Sequence, residues 1–183
     1  HRIGLLQEPH IAPLTKFVER LRRKLGPEYA VPFFDPFDGG TDASALFVLE
    51  APGAKAIQSG FVSRNNPDES AKNIFTFLNT AGFRREETVL WNIVPWYIGS
   101  KIRIRPANSK DVQDGIPYLE QIISLLPSLK VIVLVGKKAG KAKSAISTIS
   151  DLPIVETFHP SPLFVNNKKG NKSPKERGMK LLS

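Results

Sequence analysis

Four short, almost uninterrupted apolar segments constrain the fold of this chain more than any other feature. The segments are ALFVL at 45–49, TVLW at 88–91, KVIVLV at 130–135 and PIVET at 153–157. Continuous apolar runs of this length are typical of strands that are buried on both faces of a parallel sheet. They therefore predict four strands inside the protein.

Segments with a helical pattern precede and separate these strands. The predicted helices cover 14–24, 67–82, 111–126 and 136–149. Asn66 is a suitable N-cap for the second helix, and Gly82 is a suitable residue at its end. Because strands alternate with helices, we expect an α/β fold with three αβα layers. Its short, mostly parallel central sheet would have four strands and carry helices on both faces.

Composition limits the chemistry that the chain can perform. The 183 residues include no cysteine, which excludes disulfides, thiol nucleophiles and iron–sulfur clusters with cysteine ligands. The three histidines are scattered at positions 1, 10 and 159, which argues against a histidine metal site. We therefore expect neither a metal nor another cofactor.

The formal net charge of +9 predicts a polyanionic partner, most often a nucleic acid. The alternative is that the charge serves only solubility. No apolar run is long enough to span a membrane, so no membrane partner is expected. With no visible export signal, we expect a cytoplasmic protein, associated with the nucleoid if the source is bacterial.

Four loops follow the predicted strands, and three of them combine polar residues with proline. The loops contain EAPG, NIVPW, GKK and FHPSP. Ligands of open parallel sheets bind at the carboxyl ends of the strands, so these loops are the predicted functional site. GKKAGKAK at 136–143 does not match a phosphate-binding loop, because the glycine spacing is too short and Ala142 follows the lysine.

Three side chains in or near these loops have a structural and a functional interpretation each. His159 is either structural or a hydrogen-bond donor to an oxyanion that develops during a reaction. Asn92 either bonds its own backbone in a turn or recognises a base edge with its amide. Phe61 is either part of the core or a surface on which a base stacks.

The loops resemble conserved motifs of the uracil-DNA glycosylase superfamily, in the expected order. HPSPL at 159–163 resembles the second motif of the best-known branch, and EAPG at 50–53 resembles the first motif of the iron–sulfur branch. TVLWNIV at 88–94 is similar to the strand that ends in the uracil-binding asparagine. ESAKNIF at 69–75 and ANSKD at 107–111 are similar to further segments of the best-known branch.

The resemblance covers about residues 46–164 and implies one domain over 1–183. In that domain, 14–44 would form an N-terminal helix and loop, 45–164 the core and 166–183 a basic tail. The implied protein is a monomeric, monofunctional uracil-DNA glycosylase of base excision repair, which flips a base out of DNA and hydrolyses its N-glycosidic bond.

The resemblance also implies a role for each motif residue. His159 and Glu50 would be catalytic, with Asn92 and Phe61 binding the base beside Ala51, Pro52 and Gly53. Leu163 would insert into the base stack that the flipped base leaves. The further DNA contacts would come from Ser161, Pro162, Lys137, Lys138, Lys168 and Lys169.

Two departures from the family pattern leave alternatives open. Ala51 replaces an aspartate that helps to position water in the best-known branch, and Gly53 replaces a tyrosine that excludes the methyl group of thymine. Glu50 is therefore either the water-positioning group or a structural cap, and Asn65, Asn66 or Asp68 could supply that group instead. The chain could accept other deaminated bases, bind uracil-containing or abasic DNA without cleaving it, or hydrolyse free nucleosides or nucleotides.

Overall fold

The computed structural model describes residues 2–99 and 105–160, and its main sheet consists of the predicted strands. These are β2 (Ala45–Leu49), β4 (Thr88–Asn92), β5 (Val131–Val135) and β6 (Ile154–Thr157). All pairs are parallel, and the strand order is β4-β2-β5-β6. The predicted α/β fold, with a parallel sheet of four strands and helices around it, is confirmed.

Six α-helices and a small second sheet surround this main sheet in the described part of the chain. The helices are α1 (Ala12–Leu25), α2 (Ala54–Ser59), α3 (Glu69–Thr80), α4 (Ser109–Ser124), α5 (Lys137–Gly140) and α6 (Lys143–Ile149). The small sheet pairs β1 (Phe33–Phe34) with β3 (Phe61–Val62) in parallel. Among the residues described, no helix has the length and apolar character needed to cross a bilayer.

Several local predictions differ from the structure. The helix predicted over 136–149 is interrupted between Gly140 and Lys143, where two shorter helices meet. The N-cap of α3 is Asp68 and not Asn66, because the Asp68 carboxylate accepts a hydrogen bond from the Ala71 N–H at 2.9 Å. The segment predicted as a loop before β2 contains β1, whose two residues are paired only with β3.

Aromatic side chains connect the main sheet to the elements that precede it. The Trp91 ring on β4 stacks on Phe34 of β1 at 4.0 Å between ring centroids. It also meets Phe17 of α1 in an edge-to-face contact, with 6.1 Å between the ring centroids. All three side chains are almost completely buried, so the contact fixes α1 and β1 on one face of the sheet.

A buried ionic cluster fixes the loops next to this aromatic contact. Arg85 contacts both carboxylates of the cluster, with Nη2 at 3.0 Å from Asp35 Oδ2 and Nε at 2.9 Å from Asp38 Oδ1. Arg64 lies 3.4 Å from the same Asp38 oxygen, and Ser63 donates a hydrogen bond to Asp35. Since charges this deeply buried need partners, the cluster ties the 35–38 loop to the 63–66 loop.

We expect Gly115→Ala to lower the free energy of unfolding by roughly 1 to 3 kcal/mol or more. Gly115 lies on α4, and a Cβ atom there would overlap the carbonyl oxygen of Ile93, just after β4. Chemical denaturation measures the effect. Gly4→Ala is the control, because a Cβ atom at Gly4 meets no atom within 4 Å. Equal stabilities of the two variants would contradict the close approach of α4 to this segment.

Candidate functional site

A cavity of about 610 Å³ opens at the carboxyl ends of β2 and β4. The residues that line it come from the loop after β2, the end of β4, the segment before α3, the first turns of α3, the segment before α4, and the loop after β6. They include Glu50, Ala51, Pro52, Gly53, Asn92, Ser63, Asn66, Asp68, Ser70, Arg105, Pro106 and His159. The cavity therefore lies where the sequence places the functional site.

The parallel register explains why Glu50, Asn92 and His159 share this cavity. Leu49 pairs with Asn92 across β2 and β4, so Glu50 lies one position beyond the level of Asn92. On the side of β2 away from β4, β5 pairs with β6. His159 follows the last residue of β6 by two positions. The structure thus brings together the three predicted polar residues, and it places Ala51, Pro52 and Gly53 beside them.

One carboxylate oxygen of Glu50 has a structural role. Oε1 accepts a hydrogen bond from the Ala107 N–H at 2.7 Å, and Lys138 Nζ donates to the Ala107 carbonyl at 2.6 Å. Ala107 is completely buried, so the two side chains satisfy both of its backbone groups. They fix the segment that contributes Arg105 and Pro106 to the cavity wall.

Arg105 is a cation of the cavity wall that the sequence analysis did not identify. Its guanidinium forms two hydrogen bonds with the Asp111 carboxylate, at 2.6 and 2.9 Å, and its side chain is half exposed. Asn108 and Asp111 also form the reciprocal cap of α4. In the sequence, Arg105 precedes this capping pair by only a few positions. That spacing does not by itself indicate that the arginine lines a cavity.

His159 lies half-buried at the cavity, in an environment that favours its neutral form. Burial lowers the pKa of the His159 imidazole, and the negative charge of Glu50 acts in the opposite direction. Gly136, with a φ of +87°, leaves room for the ring, since a Cβ atom there would lie 3.0 Å from both Cβ and Cδ2 of His159. A neutral imidazole retains one N–H, which it can donate to a bound anion.

Phe61 is not among the residues that line the cavity, and its stacking role stays a prediction. Phe61 is buried, its ring lies 6.5 Å from that of Phe33, and the Arg2 guanidinium lies over it at 4.6 Å. Successive strand residues point to opposite sides, and the next residue, Val62, is the one that lines the cavity. The core interpretation of Phe61 is therefore the one that the structure supports.

The segment between β3 and α3 contributes polar residues to the cavity. Asn66 Nδ2 donates to the Phe61 carbonyl at 3.0 Å, and the Ser63 hydroxyl accepts from the Asn65 N–H at 2.9 Å. Asn66 and Asp68 line the cavity, whereas Asn65 does not. Their geometry leaves the choice of a water-positioning group open between Glu50, Asn66 and Asp68.

The predicted DNA contacts fall into two groups. Lys137 is exposed at the start of α5. Lys138 is partly buried, and its ammonium group donates a hydrogen bond to the Ala107 carbonyl. Ser161, Pro162, Leu163, Lys168 and Lys169 lie outside the described residues, so their predicted roles stay predictions. Within the described ranges, no group of three or more His, Asp or Glu side chains has an arrangement suitable for a metal ion.

Comparisons with known proteins agree with this fold and identify a family. A family model described as "Uracil DNA glycosylase superfamily" matches residues 36–182. A solution NMR structure from Methanosarcina acetivorans, of a protein described as a candidate uracil DNA glycosylase, is similar at a TM-score of 0.51. It shares 15% sequence identity, with 78% of this chain and 90% of that chain covered, so this likeness concerns the fold. No curated protein sequence matched the chain significantly.

The α/β fold and the polar cavity at the strand ends agree with the class of protein that the family model describes. The chain belongs to the uracil DNA glycosylase superfamily, whose model covers most of its length. This membership supports a DNA glycosylase function in the broad sense and DNA as the partner.

We expect Lys138→Met to lower the free energy of unfolding by roughly 1 to 3 kcal/mol, because the buried Ala107 carbonyl loses its donor. Thermal and chemical denaturation measure the change. Lys137→Met is the matched control, since the exposed Lys137 side chain should contribute little to stability. If both variants are as stable as the parent, the Ala107 contact is not a structural one.

We expect acid to destabilise the parent more than the His159→Gln variant. Because burial lowers the His159 pKa from 6.5, the unfolded state binds more protons than the folded state below that pH. The free energy of unfolding therefore falls as pH decreases below about 6.5, and glutamine removes this contribution. Denaturation of both proteins from pH 7.5 to 5 checks it, and parallel curves would contradict the lowered pKa.

Proposed function

We propose that the protein is a monofunctional DNA glycosylase that removes uracil from DNA by hydrolysing the N-glycosidic bond. The observation that carries the proposal is the shared cavity. A neutral imidazole, a buried amide and a carboxylate, from His159, Asn92 and Glu50, line it in a chain of this superfamily. The reaction needs one group to stabilise the departing base, one to recognise that base and one to stabilise the sugar.

The leaving group gives His159 its role. When the bond between the sugar C1′ and the base N1 breaks, its electron pair moves to the uracil, and the sugar becomes oxocarbenium-like. Negative charge therefore develops on the uracil O2. A neutral His159 donates its N–H to this oxygen, and the hydrogen bond strengthens as the charge grows.

Asn92 gives the site its means of recognising uracil. Asn92 is buried at the end of β4, with a residue exposure of 3%, and it lines the cavity. An amide carries a donor and an acceptor side by side, so Nδ2 can donate to uracil O4 while Oδ1 accepts from N3–H. Cytosine has the reverse pattern at these two positions and is rejected.

Glu50 acts on the sugar side of the reaction. Oε1 accepts a hydrogen bond from the Ala107 N–H, which fixes the carboxylate. A carboxylate in this position stabilises the positive sugar and orients the water that forms the new bond to C1′. Water supplies the hydroxyl of the abasic product, and its proton leaves to the base or the solvent.

The open space near Gly53 extends the range of bases. A Cβ atom at Gly53 would meet no atom of the described residues within 4 Å, so none of their side chains fills this part of the cavity mouth. We propose that other deaminated bases are substrates beside uracil. Lys137 and Arg105, which the structure describes, would bind the DNA backbone, and the predicted contacts of Lys168 and Lys169 would add to them.

Ala51 favours a second candidate function, which is binding of uracil-containing or abasic DNA without cleavage. A methyl group cannot position water, and half of the nearby Glu50 carboxylate is already engaged with Ala107. In this case the cavity would recognise the base or the abasic product, and a partner enzyme would perform the next step.

The test uses labelled oligonucleotides that contain uracil in single strands, in U·A pairs and in U·G pairs. The parent should form abasic sites that alkali cleaves, and His159→Ala and Asn92→Ala should each lower the single-turnover rate by about 100- to 1000-fold. Asn79→Ala, at an exposed asparagine of α3, is the control and should keep the parent rate.

Three other results have distinct meanings. The protein could cause a gel shift that is selective for uracil-containing or abasic DNA and yet form no abasic product from the uracil-containing oligonucleotides. This result would support the binding function and overturn the glycosylase function. The absence of both product and selective binding would overturn both functions. A rate that depends steeply on salt would show the contribution of phosphate contacts.

A further inference from the structure

We propose that Asn73 of α3 is a positioning residue for His159, through a hydrogen bond to the next residue of the chain. The Asn73 side-chain Nδ2 donates to the Pro160 carbonyl at 2.6 Å, and the two residues are 87 positions apart. The consequence for catalysis rests on the proposed function, because His159 is the donor to the leaving group there.

Pro160 offers few other means of fixing this loop. Proline has no N–H, so its carbonyl is the one backbone group through which residue 160 can accept or donate a hydrogen bond. Pro160 is buried, and a buried carbonyl without a donor costs free energy. The Asn73 amide supplies that donor and thereby connects the loop to a helix, which is a rigid support.

The other side of the loop is fixed by Gly136, the residue that follows β5. The Gly136 N–H donates to the Thr157 carbonyl at 2.8 Å, two residues before His159. Gly136 also lies against His159, as the 3.0 Å approach of a Cβ atom there shows. His159 is thus located between the contact with Gly136 and the Asn73 hydrogen bond to the next residue.

Helix α3 is suited to this task because it also borders the cavity. Ser70 and Ile74, one turn apart on α3, line the cavity, while Asn73 contacts the loop. The helix is capped by Asp68, which accepts from the Ala71 N–H, so its first turn has a defined position. Asn73 therefore connects the cavity wall on α3 to the loop that contains His159.

The test compares Asn73→Asp and Asn73→Ala with Asn79→Asp. Aspartate keeps the shape of asparagine but cannot donate when it is ionised, and alanine removes the donor without adding charge. Asn79 is exposed on the same helix, so Asn79→Asp introduces the same charge away from the loop. Thermal denaturation first establishes which variants are folded at the assay temperature.

The first readout is spectroscopic and does not need activity. We expect the Cε1–Hε1 resonance of His159, assigned by its loss in His159→Gln, to shift in both Asn73 variants and to remain in place in Asn79→Asp. A His159 resonance that is unchanged in folded Asn73→Asp and Asn73→Ala overturns the proposal. This readout decides it even if the parent protein proves to have no glycosylase activity.

The second readout is kinetic. We expect the single-turnover rate on uracil-containing DNA to fall by about 10- to 100-fold in both Asn73 variants, because small displacements of a catalytic group have effects of this size. Affinity for abasic DNA should stay within about twofold of the parent. If the parent is active and the folded Asn73 variants keep its rate, Asn73 does not position His159 for the reaction.

Discussion

The parallel register of the main sheet is the constraint on which the functional site depends. All strands of that sheet run in one direction, so their carboxyl ends meet at one edge. Glu50, Asn92 and His159 follow different strands and are far apart in sequence, yet they line one cavity. A shift of β4 by one residue would turn Asn92 to the other face of the sheet and away from the cavity. The apolar interior that fixes this register therefore also fixes the site.

The loops around the cavity are fixed in another way, by side-chain hydrogen bonds to backbone groups. Glu50 and Lys138 bind Ala107, and Asn73 binds Pro160. These segments have little regular structure that could satisfy their buried backbone groups, so polar side chains from neighbouring elements do so. Such contacts hold the cavity walls in place without a ligand, and a site with fixed donors loses little free energy to reorganisation during a reaction.

Part of the site was predictable because its signals are local. An apolar run followed by a turn marks a strand end, and polar residues at strand ends of a parallel sheet lie together. Glu50, Asn92 and His159 follow such runs, and the cavity brings them together as predicted. Phe61 was not predictable in this way. Its side depends on the pairing of two-residue strands, and a two-residue run has no periodicity that separates one face from the other.

The sequence by itself determined the four main strands, the larger helices and the edge of the sheet where the site lies, because these follow from hydrophobic patterns along the chain. Only the tertiary structure decided the strand order and the choice of Asp68 over Asn66 as the cap of α3. It also decided the places of Arg105 and Lys138, one in the cavity wall and the other on Ala107. These features depend on contacts between residues far apart in the chain, and such contacts leave no pattern in the local sequence.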